Sequence, residues 1–498
     1  MRITHFVRGL GGGYLATFIN IAYTAVSVPL ALHYLGKDQF GLWSLAQQIV
    51  GYLILLDLGV TSAVSRFIAD HKDDVNGGDY GRLLLTGGIV FAIQGVLIAF
   101  VGIVFSIFAP FLFAIPMSLA RDFTNVLVII TSISGFSIFS RSLAVPLWSF
   151  HRIDFSYLMG SLTLLTGFAA MWLGFHLGWG IYSLAFSGLP AAFLCPVMTF
   201  YFCKKNGFYP SAKSAWQKPT WSDIQRVFVF GKDAALMSLG SQMVNASQIM
   251  IISRFVGLDA AATFSVGTKL YSLGQQLVAK IVGAAAPSLT ELFVRGELSK
   301  FNARFLDVLR VSAFASTLIA SFLVAGNSGL VSFWTSGVVN WKQSSDAILG
   351  ALLIATSLTR CMTELFVFRG SLRSVRHIYL LEGVLAILFG VPVVATFGVV
   401  GLLASSLCIH LAVTVILSVR ASERLLPSIK PIIFSGIASL LVFSLILGLS
   451  LLPIPSTARL IPILLKIAVL VLMAAAGGWY FIFPQTFRKF AVCSFRNI

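Results

Sequence analysis

Three polar residues within one apolar stretch of the sequence have the types and the spacing to bind an anion. Gln276 follows Lys269 by seven residues and Lys280 follows Gln276 by four, so all three lie on one face of a helix. Lys269 lies about ten residues inside a predicted span, roughly 15 Å from its outer end, too deep for its charge to reach water easily. We predict a cationic substrate-binding face, and a buried ion pair with an acid on another helix is the alternative.

Arg141 and Arg360 are two further cations in apolar segments, and we predict that both contact the same substrate. Each follows hydroxyl-bearing residues one and four positions earlier, and each lies nearer the predicted cytoplasmic end of its span. The alternative for Arg360 is a structural pair with Glu364, which lies one helical turn further along the chain.

Two apolar segments carry matching polar stripes, related by a constant offset of 221 residues. At 3.6 residues per turn, the polar side chains of each stripe share one face of a helix. The stripes are Thr17, Asn20, Thr24 and Ser27 in the first segment, and Ser238, Ser241, Asn245 and Gln248 in the second. The residues predicted to bind substrate are Asn20, Thr24, Ser27, Ser241, Gln242, Asn245 and Gln248. Polar groups in lipid must find partners, so the stripes indicate either a shared water-accessible lining or contacts between packed helices.

The elements that position these residues are predicted to be membrane helices. The chain has 498 residues, of which 57% are hydrophobic and only 11% charged, whereas soluble domains carry about 25% charged residues. Apolar stretches of roughly 20 residues recur from end to end, so we predict an all-α polytopic membrane protein with about 14 transmembrane helices. The predicted spans are 10–35, 41–62, 83–109, 123–148, 155–175, 178–202, 228–253, 259–287, 305–333, 343–368, 377–397, 399–419, 430–452 and 458–483.

The formal charge of +17 is explained better by membrane orientation than by nucleic-acid binding. With the amino terminus inside, most of the 35 lysines and arginines fall in the inside segments, as the positive-inside rule requires. We therefore predict that both termini are cytoplasmic.

The repeat divides the chain into two halves of six spans each. We predict an amino-terminal bundle at 1–203, a cytoplasmic linker or hinge at 204–226, a second bundle at 227–429, and two additional helices with a cytoplasmic tail at 430–498. Duplicated halves around a polar path are typical of transporters.

Chemistry other than binding finds little support in the sequence. There is no P-loop and no metalloprotease or hydrolase motif, and the five cysteines have no metal-like spacing, so we expect no enzymatic activity, no metal and no cofactor. Asp57, Asp233 and Glu364 are the candidate residues for binding a coupling ion.

Residues 34–45, 56–59 and 63–69 (YLGKDQFGLWSL, LDLG and AVSRFIA) resemble the opening of the polysaccharide transport family. This family belongs to the multidrug/oligosaccharidyl-lipid/polysaccharide (MOP) exporter superfamily and includes the O-antigen flippases. The resemblance implies two six-helix bundles in a V around a central cavity, plus two carboxy-terminal helices. It also implies a bacterial inner-membrane protein that moves an oligosaccharide on polyprenyl pyrophosphate to the outer leaflet. The implied partners are membrane lipids, a polysaccharide polymerase and glycosyltransferases. Nucleic acid is not expected to be a partner.

Two other functions remain as alternatives. A cation-coupled multidrug antiporter of the same superfamily would require acids in its binding site, whereas cations outnumber acids in the spans of this chain. A membrane glycosyltransferase, polymerase or ligase would carry catalytic acids and a large outer loop, and the predicted outer loops are short.

Overall fold

The computed structural model describes residues 2–150, 152–368, 372–423, 426–451 and 460–483. Every regular element in these ranges is helical, which confirms the predicted all-α class. The predicted cytoplasmic tail at 484–498 lies outside the described residues.

Seventeen α-helices make up the described part of the chain. They are α1 (Arg2–Leu53), α2 (Val60–Asp70), α3 (Gly78–Leu112), α4 (Met117–Ser140), α5 (Val145–Ser149), α6 (Ile153–His176), α7 (Tyr182–Phe186), α8 (Leu189–Lys205), α9 (Trp221–Phe255), α10 (Leu258–Gly267), α11 (Lys269–Val294), α12 (Leu298–Trp334), α13 (Gln343–Phe368), α14 (Leu372–Ile409), α15 (Ile416–Glu423), α16 (Lys430–Ser450) and α17 (Leu460–Ile482). A π-helical turn, His410–Val415, joins α14 to α15.

Within the described ranges, 11 helical segments are long and apolar enough to cross a membrane, so the chain is a multi-pass membrane protein. Two of these segments contain a bend, because α1 leaves helical geometry at Gly36 and α14 does so at Gly398. Helix α9, which carries the second polar stripe, is not among the eleven. The count of 14 spans therefore stays a prediction.

The chain forms two compact units, residues 1–262 and 263–498. Helix α9 belongs to the first unit, although the sequence repeat assigns it to the second half. The predicted domain boundaries, including the one at residue 227, remain predictions.

Unit 1 is built around the close pair α3 and α4. Gly95 and Gly135 face each other so closely that a Cβ atom on either residue would overlap the carbonyl oxygen of the other. Small residues at such a crossing allow two membrane helices to approach backbone to backbone, which increases their van der Waals contact.

In unit 2, α16 and α17 pack against α12. Their shared apolar cluster contains Ala325 of α12, Val442 and Ile446 of α16, and Ile467 and Leu470 of α17. The two carboxy-terminal helices are therefore part of the packed core of unit 2.

The segment between α8 and α9 packs closely against other parts of unit 1. The Tyr80 hydroxyl donates to the Phe208 carbonyl at 2.8 Å, and the Tyr209 hydroxyl donates to the Leu143 carbonyl at 2.9 Å. The Phe208 ring stacks on Phe150 with centroids 4.2 Å apart. These contacts fix residues 208 and 209 within unit 1.

Candidate functional site

Lys269 is the first residue of α11, directly after a break in the helix at Thr268. The Thr268 hydroxyl donates to the Phe264 carbonyl at 2.7 Å, so this side chain turns back along α10. The backbone amide of Thr268 donates to the Phe264 carbonyl and that of Ser272 donates to the Thr268 carbonyl, both at 3.0 Å. The break is therefore confined to one residue, and Lys269 lies inside a nearly continuous helical segment.

The Lys269 side chain is partly buried. Among the described residues, its ammonium group makes no hydrogen bond or ion pair. The structural alternative, a buried pair with an acid, is therefore not observed in this part of the chain. A cation without a partner in a low-dielectric region attracts an anion strongly.

The break before Lys269 is held by contacts that come from distant parts of unit 2. The Asn327 amide donates to the Gly267 carbonyl at 3.0 Å, and the Trp341 ring lies directly against the Gly267 α-carbon. Both Asn327 and Trp341 are buried. The sequence prediction included neither residue, because nothing in the local sequence links them to position 267.

The two other residues of the predicted cationic face follow Lys269 along α11. Gln276 is exposed and Lys280 is partly buried. The neighbouring Gln275, which was not predicted, donates to the Tyr271 hydroxyl at 2.8 Å. The polar face of α11 thus contains one glutamine that is engaged within unit 2 and one that is free to face solvent or a ligand.

The first polar stripe lies on α1, and its inner members are only partly exposed. Asn20 and Thr24 are partly buried, whereas Ser27 is buried. Thr17 donates to the Gly13 carbonyl at 2.7 Å. Asn20 and Thr24 are therefore the members best placed to contact a ligand.

The second stripe, on α9, is divided between internal contacts and exposed groups. The Gln242 amide donates to the Gly51 carbonyl at 3.1 Å, which ties α9 to α1 within unit 1. Asn245 is exposed and donates to the Ser241 carbonyl at 2.9 Å, while Ser241 and Gln248 are partly buried. Gln242 thus has a structural contact that the sequence did not indicate, since Gly51 lies 191 residues away.

The two predicted arginines lie in different units. Arg141 begins the short 3₁₀ helix Arg141–Leu143 after α4 in unit 1 and is partly buried. Arg360, on α13 in unit 2, is exposed, and its charge acts on Glu364 one turn further along. Their roles in binding substrate stay predictions.

The acids predicted to bind a coupling ion have varied surroundings. Asp57 ends a 3₁₀ helix after α1 and accepts a hydrogen bond from Thr61 at 3.1 Å. Gln94 donates to the carbonyl of Asp57 at 2.8 Å, which further fixes this turn. Asp233 on α9 and Glu364 on α13 are partly buried.

A buried polar cluster in unit 2 was missed by the sequence prediction. His410 Nδ1 lies 2.7 Å from Glu382 Oε1, and the Thr414 hydroxyl donates to Glu382 Oε2 at 2.6 Å. His410 Nε2 lies 3.1 Å from the Thr359 hydroxyl. The spacing of His410 and Thr414 on one turn of an apolar helix, with an acid on the preceding span, was the available signal.

Within the described ranges, no group of three histidine, cysteine or acidic side chains is arranged to hold a metal ion. The four described cysteines, Cys195, Cys203, Cys361 and Cys408, are free thiols.

The chain matches the model of a known protein family. The family model described as polysaccharide biosynthesis protein matches residues 7–293, which is more than half of the chain. No curated protein sequence matches the chain.

Several solved structures share the fold. Lipid II flippase MurJ in an inward closed conformation is similar with a TM-score of 0.70 and 12% identity, over 95% of this chain and 98% of that one. An inward-facing multidrug resistance MATE family transporter of the MOP superfamily gives 0.68 and 13%, over 81% and 93%. A mutant MATE transporter VcmN from Vibrio cholerae gives 0.60 and 13%, over 84% and 97%. At these identities the similarity shows the fold alone, and this is the fold that the resemblance implied.

Proposed function

The chain belongs to the family of polysaccharide biosynthesis proteins, and from this membership we propose that it is a flippase. Its substrate is an oligosaccharide linked to polyprenyl pyrophosphate. The protein moves this substrate from the inner to the outer leaflet of a bacterial inner membrane by alternating access. The product is used to build a cell-surface polysaccharide such as O antigen, capsule or exopolysaccharide.

The unpaired ammonium group of Lys269 is the observation that carries this proposal. Among the described residues it has no partner, although the Lys269 side chain is partly buried. A pyrophosphate offers several charged oxygens to such a cation, and charge-assisted hydrogen bonds of this kind are strong in a low-dielectric site. Lys269 therefore supplies the main contact with the pyrophosphate, with Lys280, Arg141 and Arg360 as further cations.

The remaining substrate groups need different surroundings. Hydroxyl groups of a glycan pair with amide and hydroxyl side chains, which Asn20, Thr24 and Asn245 supply on α1 and α9. The polyprenyl chain stays in lipid. In this proposal both termini are cytoplasmic. Glycosyltransferases act before the transport step, and a polymerase acts after it.

A cation-coupled multidrug antiporter is the competing function, since MATE transporters share the fold. Such a protein would use acids to bind a cationic drug. In this chain Asp57 accepts a hydrogen bond from Thr61, and the charge of Arg360 acts on Glu364. These contacts, together with an unpaired lysine, favour an anionic substrate.

Replacement of Lys269 tests the proposed function in cells. We expect Lys269→Ala to abolish surface glycan while the amount of protein in the membrane is preserved, and Lys269→Arg, which keeps the charge, to restore part of the export. Surface glycan is measured by gel and protein level by immunoblot. Normal export in Lys269→Ala would refute the cationic site.

Lys466 provides the matched control, because it is another lysine in an apolar helix but has a different contact. Its ammonium group donates to the Ser450 carbonyl at 2.9 Å in the α16–α17 region. Lys466→Met is expected to leave export intact, although it removes one hydrogen bond. Loss of export in both variants at normal protein levels would mean that removal of any such lysine stops transport.

A further inference from the structure

Asp346 and Asn327 form a buried pair close to the helix break that precedes Lys269. Asp346 lies in the first turn of α13 and Asn327 near the end of α12, and neither has any exposed surface. Asp346 Oδ1 accepts hydrogen bonds from Asn327 Nδ2 at 2.6 Å and from Trp341 Nε1 at 2.7 Å. One oxygen of the carboxyl group is therefore fully engaged.

The orientation of the Asn327 amide is fixed by its two acceptors. Its nitrogen donates both to Asp346 Oδ1 and to the Gly267 carbonyl. The opposite orientation would place the amide oxygen against the Gly267 carbonyl oxygen, which cannot donate to it. The amide oxygen must therefore be Oδ1, on the side away from Gly267.

Two oxygens of this pair have no hydrogen-bond partner. Asp346 Oδ2 and Asn327 Oδ1 are both buried and unsatisfied among the described residues. A buried acceptor without a donor is costly, and a buried carboxylate without a cation is more so. Two adjacent side chains with one unsatisfied oxygen each are satisfied together if a single proton lies between them.

We propose that Asp346 is a proton-binding site, in which a hydroxyl group at Oδ2 donates to Asn327 Oδ1. The amide and the carboxylic acid then form a ring of two hydrogen bonds, one in each direction. Loss of this proton removes the hydrogen bond from Oδ2 to Asn327 Oδ1, so ionisation breaks the ring.

Within the described ranges, no charged side chain offsets the ionisation of Asp346, and only the positive end of the α13 dipole, in whose first turn it lies, favours the carboxylate. The backbone amide of Ser328 on α12 and the Trp341 indole are the remaining donors near the carboxyl group. Lys342 in the preceding loop is exposed, and no ion pair joins Asp346 to a cation in the described ranges. The contact of the pair with α10 is made by the uncharged Gly267 carbonyl, which accepts from Asn327.

This site acts on the break that presents Lys269. Asn327 joins Asp346 to Gly267, two residues before Lys269, so the protonated pair holds the end of α10 in place. Asp346 and Asn327 are therefore positioning residues for Lys269. This role rests on the proposed function, because it requires that Lys269 binds the substrate. The protonation of Asp346 itself does not depend on the substrate.

Infrared difference spectroscopy on the full-length protein in lipid tests the proposal. Asp346→Asn is close to isosteric, and its amide can donate to Asn327 Oδ1, so this variant keeps the ring and the fold. We expect the spectrum of the wild-type protein minus that of Asp346→Asn at neutral pH to contain the C=O stretch of a protonated carboxylic acid. This band should shift in D₂O and disappear as the pH is raised.

Asp307→Asn is the matched control on α12, since Asp307 lies between Arg304 and Arg310 and is paired with both. Its difference spectrum should contain carboxylate bands and no acid band. The proposal is overturned if the Asp346 difference lacks the acid band, or if the band appears only when Na⁺ is replaced by choline, because a sodium ion would then occupy the site. Neither result depends on glycan export, so failure here is distinguishable from failure of the proposed function.

Discussion

His410 Nδ1 lies 2.7 Å from Glu382 Oε1, and both side chains are buried in the interior of unit 2. With Thr414 bound to the second carboxyl oxygen, both oxygens of Glu382 have a donor. Thr359 completes the cluster at the other ring nitrogen of His410. These contacts join α13, α14 and the π-helical turn, and π-helical turns occur often at functional sites.

Removal of Glu382 should strongly destabilise unit 2. Glu382→Ala leaves His410 Nδ1 and the Thr414 hydroxyl without an acceptor, which should cost on the order of 3 kcal/mol. Thermal unfolding of the purified protein in detergent measures the effect. Glu291→Ala removes an exposed pair with Arg295 and should change stability by less than about 1 kcal/mol. Equal losses in the two variants would contradict a structural role for the buried cluster.

Gly231 should not tolerate even one added methyl group. It packs against the turn at Leu58 and Gly59, and a Cβ atom at 231 would overlap the Leu58 carbonyl oxygen. Gly231→Ala should therefore lower the unfolding temperature, since a well-packed contact must open. Gly88→Ala on α3 meets nothing within 4 Å and should raise stability by about 0.5–1 kcal/mol through helix propensity. A rise in both variants would show that α9 does not pack closely on this turn.

The start of α9 should lose stability in acid. Thr220 and Asp223 form a capping box, and Asp223 also lies 3.2 Å from Arg82 Nε. Burial opposes the charge on Asp223, but hydrogen bonds from Thr220 and the charges of Arg82 and Arg226 outweigh it, so the pKa lies below its ordinary value. A lowered folded-state pKa gives stability that is present above the unfolded value and is lost as the pH falls through the folded one.

The comparison of wild-type protein with Asp223→Asn measures this contribution. At neutral pH the variant should unfold at a lower temperature than the wild type. The difference should shrink as the pH falls through the folded-state pKa of Asp223, because below that pKa the carboxyl group is protonated in both states. A difference that stays constant from neutral pH to acid would rule out a contribution from the carboxylate charge.

Hydropathy and polar patterning were enough to predict the helical class and the polar faces of α1, α9 and α11. They were enough because a membrane span is defined by the composition of about 20 consecutive residues, and this composition can be read directly from the sequence. The break at Thr268 could not be predicted, since it depends on Asn327 and Trp341, which come from distant segments. The Glu382–His410 pair and the unsatisfied oxygens of Asp346 and Asn327 depend in the same way on contacts between separate helices.

The capping box at the start of α9 is a different case. Threonine at position 220 followed by aspartate at 223 is a local signature of a helix start. The helix begins at Trp221, inside the range 204–226 that was predicted as a linker, and the bounds of this linker stay a prediction.

Lys269 is proposed to bind the pyrophosphate of a lipid-linked substrate. The most direct test compares the binding of polyprenyl pyrophosphate with that of the matching polyprenyl alcohol to the purified protein in lipid nanodiscs, for the wild type and Lys269→Met. For the wild type we predict at least about tenfold tighter binding of the pyrophosphate, or about 1.4 kcal/mol, and loss of this preference in Lys269→Met. An equal preference in the two proteins would contradict the claim.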